Sequence, residues 1–169
     1  RPRGRRMTVE PSAVAIVSQP FDGVLRPYRI STGIWTYEVS RRLAAGHDVS
    51  VTLQRNTEAP KACTIDGVAL NPVDLGLDRR LQRILARLPQ GDDPRRPVYT
   101  GRTHWGAYAV RAARDAARRG ADVAHIINFP QFLPLFRRWA PRAKRVLNLR
   151  CEWLSQLDAG PMGGSLEHA

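Results

Sequence analysis

The chain has 169 residues, of which 43% are hydrophobic, enough to bury a core and too apolar for a disordered chain. Its longest apolar runs, such as Ala13–Val17, are strand-sized, so none reaches the roughly 18 residues of a membrane span. The net charge of +12 invites a polyanionic partner, but Arg1, Arg3, Arg5 and Arg6 sit together in a lead-in and the rest are scattered in pairs such as Arg79-Arg80 and Arg137-Arg138, which disfavours nucleic acid.

Residues 1–12, with Pro2, Pro11 and those four arginines, read as a disordered basic lead-in. No apolar signal-peptide core comes after them, so a cytoplasmic protein is expected, with the charge also fitting peripheral contact at the inner face of a membrane. Ala13–Ser18 has the pattern of a strand buried on both faces. A loop over Gln19–Thr32, broken by Pro20, Gly23 and Pro27, leads to helical spacing over Gly33–Ala45. There Trp35, Val39 and Leu43 predict the buried stripe, Glu38 a pair with Arg42, Ser31 or Thr32 the N-cap, and Gly46 the C-terminal stop.

Asp48–Leu53 predicts the second strand, and Asp66-Gly67 between two short apolar runs predicts a two-residue hairpin. Leu77–Leu88 reads as a helix with Leu77, Leu81, Ile84, Leu85 and Leu88 on one side, then a loop over Gln90–Pro97. Thr103–Arg119 is a further, strongly helical segment closed by Gly120. Val123–Ile127 is a strand, Phe132–Trp139 a short helix and Arg145–Leu149 a further strand. Residues 159–169 lack periodicity and are expected to form a flexible tail, residues 163–168 resembling cloning-linker sequence. Cys63 and Cys151 lie far apart with no CxxC spacing and are expected to be free, buried thiols rather than a disulfide or a structural zinc site.

Short apolar strands alternating with helices predict an α/β domain: a Rossmann-like, doubly wound, mostly parallel sheet. Ligands of such sheets gather beyond the carboxyl ends of the strands. No GxGxxG turn comes after the first strand and no GxxxxGK[ST] loop is present, so neither dinucleotide nor P-loop chemistry is expected, and no cofactor or metal is assigned.

Four segments hold chemistry at the expected edge. Ser31, Thr32, Gly33 and Ile34 open a helix, where free N–H groups favour an anion and Gly33 admits a close approach; ordinary capping explains the same residues. Asn128, Phe129, Gln131 and Phe132 come directly after a strand and suit a sugar, amides bonding hydroxyls and rings stacking on its apolar face; otherwise the rings pack in the core and Asn128 caps a helix. Arg150 and Glu152, beside Trp153, form a charged pair after the last strand and are the catalytic candidates; the alternative is a surface ion pair. Arg102 and His104, at the predicted start of the long helix, are acceptor-binding candidates or simple caps. His47 and His125 read as structural.

The stretches STGIWTYEVSRRLAAGHDVSV and ADVAHIINFPQFLPLFRRWAPRAKRVLNLRCEWLSQLD have an order and spacing that resemble the N-terminal domain of family 4 glycosyltransferases, and the resemblance covers residues 13–158. It departs at Ile127 and Arg150, where members often carry histidine or another polar residue. The resemblance implies the N-terminal half of a two-domain GT-B architecture that binds the acceptor (a glycan, lipid or small molecule). A C-terminal domain would hold a UDP- or GDP-linked sugar, with retaining, metal-free transfer. Carried over by position, Gly33 and its neighbours would face the donor diphosphate and residues 128–132 the acceptor. Transfer is not expected without the donor domain. The alternative is a non-enzymatic basic α/β module for RNA, an anionic membrane or an acidic glycan.

Overall fold

Val49, Val51 and Leu53, and likewise Val14 with Ile16 and Val68 with Leu70, fall at every second position of runs that become strands, because alternate side chains of a strand enter opposite layers. The computed structural model describes residues 10–21, 23–26, 31–85 and 105–149. It contains the strands β1 (Ala13–Val17), β2 (Asp48–Gln54), β3 (Cys63–Ile65), β4 (Val68–Val73), β5 (Val123–Ile127) and β6 (Lys144–Asn148). They form one six-stranded sheet in the order β3-β4-β2-β1-β5-β6, parallel except for the β3–β4 pair. The helices are α1 (Ser31–Leu43), α2 (Gly76–Leu85), α3 (Gly106–Arg118) and α4 (Leu133–Trp139), the last entered through a 3-10 turn over Pro130–Phe132. This is the Rossmann-like doubly wound α/β arrangement that the alternation predicts.

Two cores lie on the two faces. Ile16, Val49, Val51, Leu53, Val68, Leu70 and Ile127 form one, covered by half-buried Trp35 and Leu43 of α1. Ala15, Val17, Ala124 and Ile126 point the other way, against Tyr108, Ala109, Ala112, Ala113 and Ala116 of α3 and Phe132 and Phe136 beyond β5. Strand order reverses at β1, which pairs with β2 on one side and β5 on the other. The connections put α1 and α3 on opposite faces, and the position where such sheets form a ligand crevice lies beyond the carboxyl ends of β1 and β5.

Local chemistry explains the turns. Asp66 and Gly67 both have positive φ (49° and 77°), the conformation a two-residue hairpin needs, and Cys63–Ile65 pair with Val68–Leu70 across them. Pro72 lies past the part of β4 that pairs with β3, so its missing N–H costs no bond on that side. At the end of α3, Gly120 has φ 65°, its N–H donates to Ala117 O at 3.1 Å, and the N–H of Ala121 donates to Ala116 O at 2.9 Å. This glycine-terminated double bond is the stop expected for Gly120.

Several expectations are corrected. Ser31 and Thr32 lie within the first turn of α1, so neither is its N-cap. The buried residues of α1 are Gly33, Thr36 and Ser40, while Trp35, Val39 and Leu43 are only half-buried. Gly46 does not adopt positive φ; the helix has already ended at Leu43, whose carbonyl takes the N–H groups of both Gly46 and His47 at 3.0 Å. The long helix starts at Gly106, because Trp105 before it has φ 61°, outside helical geometry. Cys63 is free but exposed, on the edge strand β3, rather than buried. The Glu38–Arg42 pair is present at 3.4 Å, with Arg41 closer at 2.6 Å; that hydrogen bond from Arg41 lowers the Glu38 carboxyl below its ordinary range. The lead-in up to residue 9, the loop over residues 90–97, Arg102, His104, Arg150, Cys151, Glu152, Trp153 and the tail lie outside the described residues.

Candidate functional site

The segments leaving β1 and β5 build the crevice at the switch point. Val17 pairs with Ile126, so the chain exits both strands side by side. After β1, the Ser18 N–H continues the ladder to Thr52 O at 3.0 Å, and the Ser18 hydroxyl donates to Gln19 O at 3.1 Å. The Tyr108 hydroxyl, fully buried, lies 2.9 Å from both Ser18 O and Thr52 O and ties the exits of β1 and β2 to α3. A phenol there anchors backbone that would otherwise turn its carbonyls into an apolar layer.

After β5, Asn128 takes φ 60°, a region that asparagine tolerates better than other residues with a β-carbon. Its N–H donates to Asn148 O at 2.9 Å, so the bend still completes the β5–β6 ladder. Left-handed backbone thus gives a structural reason for asparagine at this position. Phe129 comes next and is 0% exposed, its ring 4.8 Å from Phe132 in a stacked pair and 6.1 Å from Phe21 of the β1 loop. Phe129 and Phe132 are core residues with no face open to a sugar, which corrects the stacking role expected of them. Phe21, 39% exposed, forms the outer surface of the same aromatic column.

The carboxamides behave differently. Both polar atoms of the Gln131 amide are shut off from solvent, and neither finds a hydrogen-bond partner among the described residues. Gln19, 2% exposed at the end of β1, has its Oε1 in the same condition. An enclosed amide without a partner costs about 1–3 kcal/mol, so such groups concentrate where a ligand or water completes them. Gln131 is legible as a candidate from its place after a strand. Gln19 is not, because it reads as the first residue of a long loop; its position directly beyond the central strand is the available signal.

The loop at Gly33 has a different explanation from the one its sequence invites. A β-carbon at Gly33 would fall well inside contact distance of the Gly23 carbonyl oxygen and 3.1 Å from its carbonyl carbon. Backbone of the β1–α1 loop lies directly on the helix there, so the space a ligand would need at Gly33 is filled by the chain itself. Ser31 and Ile34 are exposed and Thr32 half-buried, its carbonyl accepting the Thr36 hydroxyl at 2.8 Å. His125 lies edge-on to Trp35 with ring centres 5.6 Å apart, on the α1 face of the sheet, and His47 Nδ1 accepts the Ser12 N–H at 3.2 Å. Of the predicted site residues, Asn128 and Gln131 follow β5 beyond the carboxyl edge of the sheet, with Asn128 buried, while Phe129 enters the core and Gly33 lies against its own loop.

Elsewhere, a shallow cavity of about 540 Å³ lies on the outer surface of α3 and α4, lined by Arg111, Arg114, Ala117, Arg118 and Trp139. The Arg114 guanidinium sits 4.1 Å over the Trp139 ring. No cluster of metal-ligating side chains occurs among the described residues, and none of their helices is long and apolar enough to cross a membrane. Comparison with protein-family models, curated proteins and solved structures finds no match for this chain.

Proposed function

We propose that the chain is the acceptor-side, N-terminal domain of a nucleotide-sugar-dependent glycosyltransferase of the GT-B kind. The reading is supported by a doubly wound sheet with partnerless carboxamides in the segments just beyond β1 and β5 and no phosphate-binding glycine turn. The observation that carries it is the Gln131 side chain, whose partnerless amide is closed off in the chain as it stands and would offer one acceptor and two donors to vicinal hydroxyls once the segment after β5 opens to an acceptor. Gln19 adds a second acceptor on the neighbouring strand exit. A donor domain across the crevice would bring the nucleotide sugar, and the basic residues Arg102 and Arg150 would offset charge on its departing phosphate. Glu152 and His104 remain candidates from their place in the sequence alone, and Ser31, Thr32 and Ile34, without Gly33, remain candidates for the diphosphate on the resemblance.

Because such a site needs both walls to position the reactants, acceptor binding rather than transfer is the measurement. Ligand-observed saturation-transfer NMR with a panel of neutral mono- and disaccharides is expected to show weak binding to the parent chain. Gln131→Leu should abolish it without lowering the melting temperature, since an unsatisfied amide is being replaced by an apolar group of similar size. A parent that binds no saccharide, or a Gln131→Leu variant that still binds, overturns the reading.

One observation favours the alternative, a binding module for an anionic polymer such as RNA or an acidic glycan. Arg111, Arg114 and Arg118 stand at helical spacing along one groove beside Trp139, although Arg118 also pairs with Asp115 at 3.0 Å. Under that reading Arg111→Ala with Arg114→Ala weakens polyanion binding and Gln131→Leu does not. An adjoining reading frame encoding a donor domain would favour the first reading.

A further inference from the structure

Helix α2 is mounted with its polarity reversed. Asp78, 2% exposed, turns toward α3 and accepts the Ala107 N–H at 2.8 Å, and the Gln82 amide nitrogen is likewise enclosed. At 3.6 residues per turn, Asp78 and Gln82 share one side of the helix, and Leu77, Leu81 and Ile84 share another. That second side faces out: Leu77 is 46% exposed, Leu81 41% and Ile84 50%. An aliphatic stripe held in water loses the burial that normally stabilises an amphipathic helix. The mounting is nonetheless firm, since the Asp74 side chain accepts the Gly76 N–H at 2.6 Å and Arg111 donates to Asp74 O at 2.9 Å.

The surroundings of the stripe are cationic. Arg79, Arg80 and Arg83 are all exposed; Arg80, three residues after Leu77 and four before Ile84, borders the aliphatic side chains, and Arg83 lies on the same flank beyond it. The one acid of α2, Asp78, is turned away into the domain. Two copies meeting through this face would bring their arginines together. A protein partner would be expected to meet an aromatic anchor, whereas here the apolar surface holds no aromatic and is mostly leucine, a type poorly represented among interface anchors. Aliphatic side chains flanked by arginine are the composition of a helix lying in a lipid headgroup layer.

We propose that α2 docks the domain on an anionic lipid surface, with Leu77, Leu81 and Ile84 entering the acyl boundary and Arg80 and Arg83 meeting lipid phosphates. This docking is independent of the glycosyltransferase reading. It is tested by co-sedimentation of the full chain with phosphatidylcholine vesicles and with vesicles about one-third phosphatidylglycerol. The chain is expected to bind the second and not the first. The combined variant Leu77→Ser, Leu81→Ser, Ile84→Ser should lower partitioning about tenfold or more, because buried methylenes dominate such binding. Arg80→Glu with Arg83→Glu should lower it as well, and helical circular dichroism checks that both variants stay folded. Undiminished binding by the folded serine variant, or by the folded glutamate variant, overturns the proposal. So does failure of the parent to bind anionic vesicles, or a serine variant that merely turns a dimer into a monomer.

Discussion

α1 and α3 are each 13 residues long and flank the same sheet, yet they meet it in opposite ways. α3 buries alanines and Tyr108, an apolar face that can be read directly from its periodicity. α1 buries Gly33, Thr36 and Ser40, and its larger apolar residues lean over the edges of the contact. The difference lies in what each helix packs on. α3 lies on side chains, where small apolar residues let it come close to Ala15 and Ala124. α1 also lies under loop backbone at Gly23, where only a glycine leaves room and hydroxyls can bond back to their own helix. A helix beneath a backbone crossing is selected for smallness, not for hydrophobicity.

Breaking the α1 contact should have the largest effect. Gly33→Val forces the loop and helix apart and is expected to cost about 3 kcal/mol or more, enough to unfold a marginal domain, as urea melts would show. An unchanged midpoint would mean the Gly23 contact yields easily and would return Gly33 to the role of an open ligand loop. Next comes the α3 side, where Tyr108→Phe removes a buried hydroxyl while leaving Ser18 O unserved by it. A loss of about 1–2 kcal/mol is expected, read from the same melts.

Asp78 sharpens the comparison, because it caps α3 from another helix while Trp105, at the cap position itself, makes no side-chain cap bond. Asp78→Ala should cost about 1 kcal/mol. Burial raises the Asp78 carboxyl above its ordinary value, with the backbone N–H groups of Tyr108 and Ala107 opposing the shift. The folded state therefore holds this proton more tightly than the unfolded chain. Stability of the parent relative to Asp78→Asn should be greatest below the ordinary aspartate range and should fall as pH rises through the raised value. A difference independent of pH in that window would show that the carboxyl is solvated. The smallest effect is expected at Ser40→Ala: its hydroxyl bonds Thr36 O at 2.5 Å within one helix, and its loss should change stability by less than about 0.5 kcal/mol.

Much of the fold is legible in the sequence because it is local. The β5 bounds, the Asp66-Gly67 hairpin, the Gly120 stop and the alternation that makes a doubly wound sheet each depend on a few neighbouring residues whose backbone preferences owe nothing to distant contacts. The candidate site is legible only as a neighbourhood. Strand order puts the residues after β5 beside a crevice, but nothing local separates an asparagine chosen for its left-handed backbone from one chosen for a ligand. Likewise, Phe129 and Gln131 lie two positions apart, one fully buried in an aromatic column and the other with its amide unpartnered.

The sequence by itself determined the fold class, most element positions and the tight turns, since periodicity and residue conformational preference act over a few residues. Tertiary structure alone decided which faces α1 and α2 bury. Gly33 is small because a loop from before its helix lies on it, and Asp78 caps a helix that begins 28 residues later. Leu77, Leu81 and Ile84, which periodicity would place in a core, face outward because the polar side of α2 is pinned to α3. Burial is a property of what a face is pressed against, and that partner is distant in the chain.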